Sequence, residues 1–186
     1  MRFEATGLNG AWLIHLEPVN DARGSFARTF CENEFQAHGL QTRFPQHSVS
    51  WSSRGGTVRG MHYQMDPRAE VKIVRCLSGS IWDVIIDIRP ESATFGKWRG
   101  FELSEEDGRQ LYVPKGFAHG FQSLTDDARV NYLISEFHAP SAASGFRYDD
   151  PAFGIRWPLP VTMISEKDLL WPRWPAAPVE QASPTP

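Results

Sequence analysis

The 186-residue chain predicts an all-β domain, an antiparallel sandwich or barrel, with a few short helices. Three observations carry that prediction. Hydrophobicity alternates with period two along much of the chain, turn signals interrupt it at short intervals, and helical periodicity is confined to one brief segment. The clearest alternation occupies residues 80–89. There Trp82, Val84, Ile86 and Ile88 share one face, while Ile81, Asp83, Ile85, Asp87 and Arg89 share the other.

The remaining elements follow in order. Residues 11–16 read as a strand, and Asn20-Asp21-Ala22-Arg23-Gly24 as a turn. Residues 32–38 form the best helix candidate, stopped by Gly39. After the turn Ser53-Arg54-Gly55-Gly56, residues 71–77 form an apolar strand in which Lys72 shares a face with Val74 and Cys76. Further strands are predicted at 110–113, 117–124 and 130–135, with Leu77-Ser78-Gly79 and Pro114-Lys115-Gly116 as turns. Residues 1–172 read as one domain and 173–186 as a Pro- and Ala-rich flexible tail.

Composition bounds the function. Hydrophobic residues make up 41%, with 12 Phe and 7 Trp, enough for a sizeable core. A net charge of −3 with no block of like charges argues against nucleic-acid or membrane-surface binding, though not against an anionic small ligand in a local basic pocket. Two cysteines define no disulfide framework, and Cys76 reads as a small buried hydrophobe. The amino terminus shows no basic region followed by an apolar stretch, and no apolar run approaches the roughly 18–20 residues of a membrane span. A soluble cytoplasmic protein is the expectation.

Two stretches carry a recognisable spacing. Gly56 precedes His62, Gln64 and Glu70; later, Gly108, Pro114, Gly116 and His119 give G-x5-P-x-G-x2-H without a gap. Together they resemble the two halves of the cupin signature, which implies a double-sheet jelly roll. Metal-binding cupins usually place a second histidine where this chain has Gln64, a poor ligand. His62, Glu70 and His119 would still offer three donors, so a metal-dependent cupin stands as a rival reading.

Longer words narrow the resemblance. Asp21-Ala22-Arg23-Gly24, Arg59-Gly60-Met61-His62-Tyr63-Gln64, Val71-Lys72-Ile73-Val74-Arg75, Phe117-Ala118-His119-Gly120-Phe121 and Ser165-Glu166-Lys167-Asp168 resemble the dTDP-4-dehydrorhamnose 3,5-epimerase family, in order, over roughly residues 10–170. The resemblance places catalytic roles on His62, Lys72, Tyr132 and Asp168. It implies inversion at C3, C5 or both of a nucleotide-linked 4-keto-6-deoxy hexose, with no metal, nicotinamide or flavin. The residue types suit that chemistry. A neutral imidazole is a suitable base for a hydrogen beside a ketone, and a carboxylate behind it orients the ring. An ammonium stabilises the enolate oxygen, and a phenol can return a proton from the opposite face. Independently of the resemblance, the alternation of the strand favours an inward over a solvent-facing Lys72, because Val74 and Cys76 share its face, and an inward ammonium is costly to bury unless it meets an anion.

The resemblance further implies substrate contacts at Arg23, Phe26, Arg28, Gln46, Ser48, Arg59, His119 and Lys167. The arginines would suit a diphosphate and Phe26 would offer a flat face to the base. It also implies a homodimer in which one subunit's amino-terminal strand completes the neighbour's site. Three positions depart from the pattern. Arg28 and Ala143 stand where glutamates are usual, and Ser48 where asparagine is. Preserved proton chemistry on an altered substrate and a pocket rebuilt by compensating residues are both compatible with these departures. A non-catalytic sugar-binding cupin is the remaining rival, and the intact acid–base set argues against it.

Overall fold

The computed structural model describes residues 1–174. In chain order the elements are β1 (Arg2–Ala5), β2 (Trp12–His15), β3 (Val19–Asp21), β4 (Gly24–Phe26), α1 (Glu32–Ala37), β5 (Gln46–Ser52), β6 (Val58–Gln64), β7 (Lys72–Ser78), β8 (Ser80–Asp87), β9 (Trp98–Ser104), β10 (Arg109–Val113), β11 (Phe117–Ser123), β12 (Ala128–Ile134), β13 (Ala143–Gly145) and α2 (Glu166–Leu169). They build a six-stranded sheet ordered β1-β2-β10-β7-β12-β5, a five-stranded sheet ordered β13-β6-β11-β8-β9, and the separate hairpin β3-β4. The two large sheets pack face to face as the cupin-type jelly roll predicted from the sequence.

The alternation along β8 explains the layering. Ile81 and Ile85 face the first sheet and join Val74, Cys76, Leu111, Val113, Phe121 and Val130 in the central core. Val84 and Ile86 face outward and are covered by Met61, Ala118 and Phe146, with Phe153, Trp157 and Trp174 of the carboxy-terminal segment packed on them. Ile81, Ile85 and Leu111 are fully buried, and truncating any of them to alanine would cost about 2–5 kcal/mol. The outer face of the first sheet is closed by α1, whose Phe35 is buried against Ile14, Ile73 and Tyr112.

The predicted strands at 71–77, 80–89, 110–113, 117–124 and 130–135 match β7, β8, β10, β11 and β12 within a residue or two, and the helix at 32–38 matches α1. Trp174 packs against Phe146 and Phe153, and its backbone N–H donates to Asp150. Arg173 and Trp174 therefore extend the described body past the expected boundary at 172, and the rest of the expected tail lies outside the described residues. Among the described residues, no helix is long and apolar enough to cross a membrane.

Glycine permits the close approach of β6 and β11. Gly60 has φ +129°, and a Cβ there would lie 2.5 Å from Gly120 Cα and 3.0 Å from the His119 carbonyl oxygen. A side chain at either glycine would push the strands apart. Just beyond this contact, His62 stands opposite His119 in the strand register.

Candidate active site

Between the two sheets lies a cavity of about 700 Å³. Its walls include Gln46, Ser48, Arg59, His62, Lys72, His119, Tyr132, Lys167 and Asp168, nine of the twelve site residues expected from the sequence. His62 belongs to the five-stranded sheet, through β6, while Tyr132 and Lys72 come from β12 and β7 of the six-stranded sheet. The imidazole therefore faces the phenol and the ammonium across one space.

Asp168 reaches His62 from 106 residues away: His62 Nε2 lies 2.6 Å from Asp168 Oδ1. The short helix α2 sets that carboxylate in place. Ser165 caps the helix by accepting the Asp168 backbone N–H at 3.1 Å, and the Gly60 N–H donates to Oδ2 at 3.4 Å. Burial pushes the Asp168 carboxyl up, but the hydrogen bond and charge of His62 outweigh it and hold the group below the ordinary aspartate value. The ring of Trp171 stands near His62 at 6.2 Å and packs against Gly145, where a Cβ would come within 2.8 Å of it.

Lys72 is inward, as its strand neighbours require. Its ammonium is 2.9 Å from the carboxylate of Glu70, and both side chains are 12% exposed. Tyr132 packs near His119, ring centroids 6.1 Å apart, and its hydroxyl lies 3.3 Å from Ser50 Oγ. Burial drives the Tyr132 phenol far above its usual value, with the Ser50 hydrogen bond working against the shift. His119 Nε2 lies 2.9 Å from Asp83 Oδ2. Burial raises Asp83, and the charge and hydrogen bond of His119 offset only part of that.

Further polar and cationic side chains surround this centre. Arg59 Nε donates to Ser52 Oγ at 3.2 Å and Nη2 to the Trp51 carbonyl at 2.7 Å, which fixes the guanidinium on the cavity wall. With Lys72 and Lys167 it gives the cavity three cationic side chains, a surface suited to a phosphorylated ligand. Gln46 Oε1 accepts the His138 backbone N–H at 2.7 Å. Ser48 and Ala143 also line the wall.

Arg23, Phe26 and Arg28 do not reach the cavity of their own chain. Arg23 and Phe26 ride on or beside the β3-β4 hairpin, the Arg23 side chain 90% and Phe26 75% exposed, and Arg28 lies 3.6 Å from Glu34. The donors of the rival metal reading are each engaged elsewhere: His62 with Asp168, Glu70 with Lys72, and His119 with Asp83. Among the described residues, no group of three or more His, Cys, Asp or Glu is placed to hold a metal ion. Gln64, at the usual second-histidine position, instead anchors a loop by accepting the Ala139 N–H and donating to the Arg68 carbonyl.

Sequence reasoning missed Ser50, Asp83 and Trp171 as members of this neighbourhood, and it assigned Glu70 only as a metal donor. Asp83 did leave a signal, since it shares the apolar face of Ile81 and Ile85. A carboxylate there is buried and needs a partner.

The fold and site together define a cupin-type domain whose two sheets bring an imidazole, a phenol and an ammonium to one cavity. A family model described as dTDP-4-dehydrorhamnose 3,5-epimerase matches residues 5–175. A curated relative of that description from Methanothermobacter thermautotrophicus is 45% identical over 173 residues, covering 91% of this chain and 92% of the relative. The crystal structure of dTDP-4-dehydrorhamnose 3,5-epimerase from Elizabethkingia anophelis superposes with a TM-score of 0.91 at 37% identity, covering 94% of this chain and 96% of that one. The enzyme from Legionella pneumophila, solved in complex with dTDP-4-keto-L-rhamnose, gives 0.84 at 35% identity, covering 94% and 99%. The chain belongs to the dTDP-4-dehydrorhamnose 3,5-epimerase family and is an isomerase.

Proposed function

We propose that this enzyme inverts carbons flanking the ketone of a nucleotide-linked 4-keto-6-deoxy hexose of the dTDP-4-dehydro-6-deoxyglucose type. The observation that carries the reading is the placement of His62 and Tyr132 on opposite sheets across one cavity that also holds Lys72. Inversion needs a base on one face of the sugar ring and an acid on the other. The His62 nitrogen not held by Asp168 takes the proton beside the ketone, and Asp168 stabilises the imidazolium that forms. Charge moves onto the ketone oxygen, where the Lys72 ammonium stabilises it. Tyr132 then delivers its proton to the opposite face, which sets the new configuration. Arg59 and Lys167 hold the diphosphate, while Gln46, Ser48 and His119 position the rest of the ligand.

The exposed β3-β4 hairpin supports a homodimer with shared sites. Val19 and Phe26 expose 72% and 75% of their surface, unusual for large apolar residues on a short hairpin beside a charged Arg23. A second copy of the chain places them at its own cavity mouth, where Phe26 stacks on the base and Arg23 and Arg28 approach the nucleotide. Ser48 and Ala143 leave more room than asparagine and glutamate would, so the departures fall on the substrate's outline and leave the four acid–base residues intact.

Incubation with dTDP-4-dehydro-6-deoxyglucose in deuterated water tests the reading. NMR should show deuterium at C3, C5 or both in the wild-type enzyme and almost none with His62→Ala, while ligand binding by the variant is largely kept. Continued exchange at the wild-type rate in His62→Ala sinks the base assignment. A panel of CDP-, UDP- and GDP-linked analogues then reports the nucleotide.

A further inference from the structure

The sequence of β5 alternates in an unusual sense. Ser48, Ser50 and Ser52 point to the inside of the barrel, while Val49 and Trp51 point out with 59% and 57% of their surfaces exposed. Each inward serine meets a different part of the site. Ser48 lines the cavity, Ser52 Oγ accepts from Arg59 Nε at 3.2 Å, and Ser50 Oγ lies 3.3 Å from the Tyr132 hydroxyl. That contact joins adjacent strands, with Ser48 opposite Tyr132 and Ser50 opposite Val130 in the register.

We infer that Ser50 is a positioning residue for Tyr132: its hydroxyl aims the phenol and stabilises the phenolate left behind when the proton is delivered. The inference rests on the function proposed above. In that reaction the Tyr132 O–H bond breaks as the new C–H bond forms, and the electron pair of the enolate is used in that bond. The negative charge passes to the phenolate oxygen. The cycle closes when the imidazolium releases its proton to water and the phenolate takes one back.

Burial alone makes Tyr132 a reluctant acid, and a neutral donor beside its oxygen opposes that reluctance at the point where charge appears. The charged groups acting on the same oxygen divide. Asp83 of β8 disfavours the phenolate and Arg59 of β6 favours it. Arg59 is committed to Ser52 and the Trp51 carbonyl, so Ser50 supplies the direct hydrogen bond.

The test separates proton removal from proton return. Ser50→Ala deletes one oxygen, and thermal unfolding checks that the variant remains folded. With the keto-sugar in deuterated water, the inversion rate should fall about 10- to 100-fold, the loss of a hydrogen bond to a charged oxygen. Deuterium wash-in to recovered, uninverted substrate should change by less than about threefold, because His62 and Lys72 are untouched. Ser50→Thr keeps a hydroxyl and should recover most of the inversion. Equal losses of inversion and wash-in, or no loss of either, overturn the inference. Wild-type enzyme run alongside distinguishes the two levels: if it exchanges no deuterium, the proposed function itself fails and takes this inference with it.

Discussion

Glu70 and Lys72 stand two residues apart at the entry to β7, carboxylate and ammonium 2.9 Å from each other, each side chain 12% exposed. A period of two puts both on the face that continues into Val74 and Cys76 of the core. The lysine stem is flexible and its ammonium a point charge, so a fixed partner decides where in the cavity that charge sits.

Glu70→Gln keeps the shape of the side chain and removes its charge. We expect kcat to fall about tenfold with KM changed less than about threefold, since in the proposed mechanism misplacing the Lys72 ammonium weakens the transition state more than the ground state. Steady-state kinetics on the keto-sugar check this. A rise in KM with unchanged kcat would instead make Glu70 a binding residue.

Stability at acid pH has a different centre. Asp87, whose side chain is fully buried, accepts from Arg89, Ser92 and Thr94 at the end of β8. Burial raises its pKa, and these donors outweigh burial and bring it down from 3.8 to about 2. A depressed carboxyl stabilises the fold above its unfolded value and loses that contribution as pH falls through the folded one. The shift corresponds to about 2 kcal/mol, present above pH of about 4 and lost toward pH of about 2. Asp87→Asn should therefore destabilise at pH 7 by about 2–4 kcal/mol, and its deficit relative to wild type should shrink by about 2 kcal/mol by pH of about 2. Urea unfolding midpoints across that range measure it, and a deficit independent of pH would contradict the assignment.

How much of this was legible in the sequence depends on which way each strand faces. β7 and β8 bury the residues that look apolar, so their faces, and the inward Lys72, could be read directly. β5 does the reverse: its serines face the cavity and Val49 and Trp51 face out, so its alternation carried no recognisable hydrophobic stripe. The bonds that matter most in the site join distant segments. His62 with Asp168, Tyr132 with Ser50 and His119 with Asp83 lie 106, 82 and 36 residues apart. Local spacing has no access to such pairs. The family resemblance supplied His62 and Asp168; alternation along β8 marks Asp83 as inward but does not name His119 as its partner, and Ser50 meets Tyr132 only through the pairing of β5 with β12.

The shared site proposed above makes a prediction about mixtures. Arg23 and Phe26 lie outside their own chain's cavity, and His62 lies inside it. In a dimer with exchanged hairpins, each site would combine His62 of one chain with Arg23 and Phe26 of the other. His62→Ala and the double variant Arg23→Ala, Phe26→Ala should each be nearly inactive alone, the second through a raised KM. A hybrid dimer would contain one site carrying both defects and one carrying neither. Unfolding and refolding the two variants together at equal concentration gives hybrids as about half of the dimers if pairing is random, each with one intact site. Activity near one quarter of wild type is the expected result. Hairpins that served their own chain, or chains that stayed monomeric, would give no recovery, because every cavity would then keep the defect of its own polypeptide.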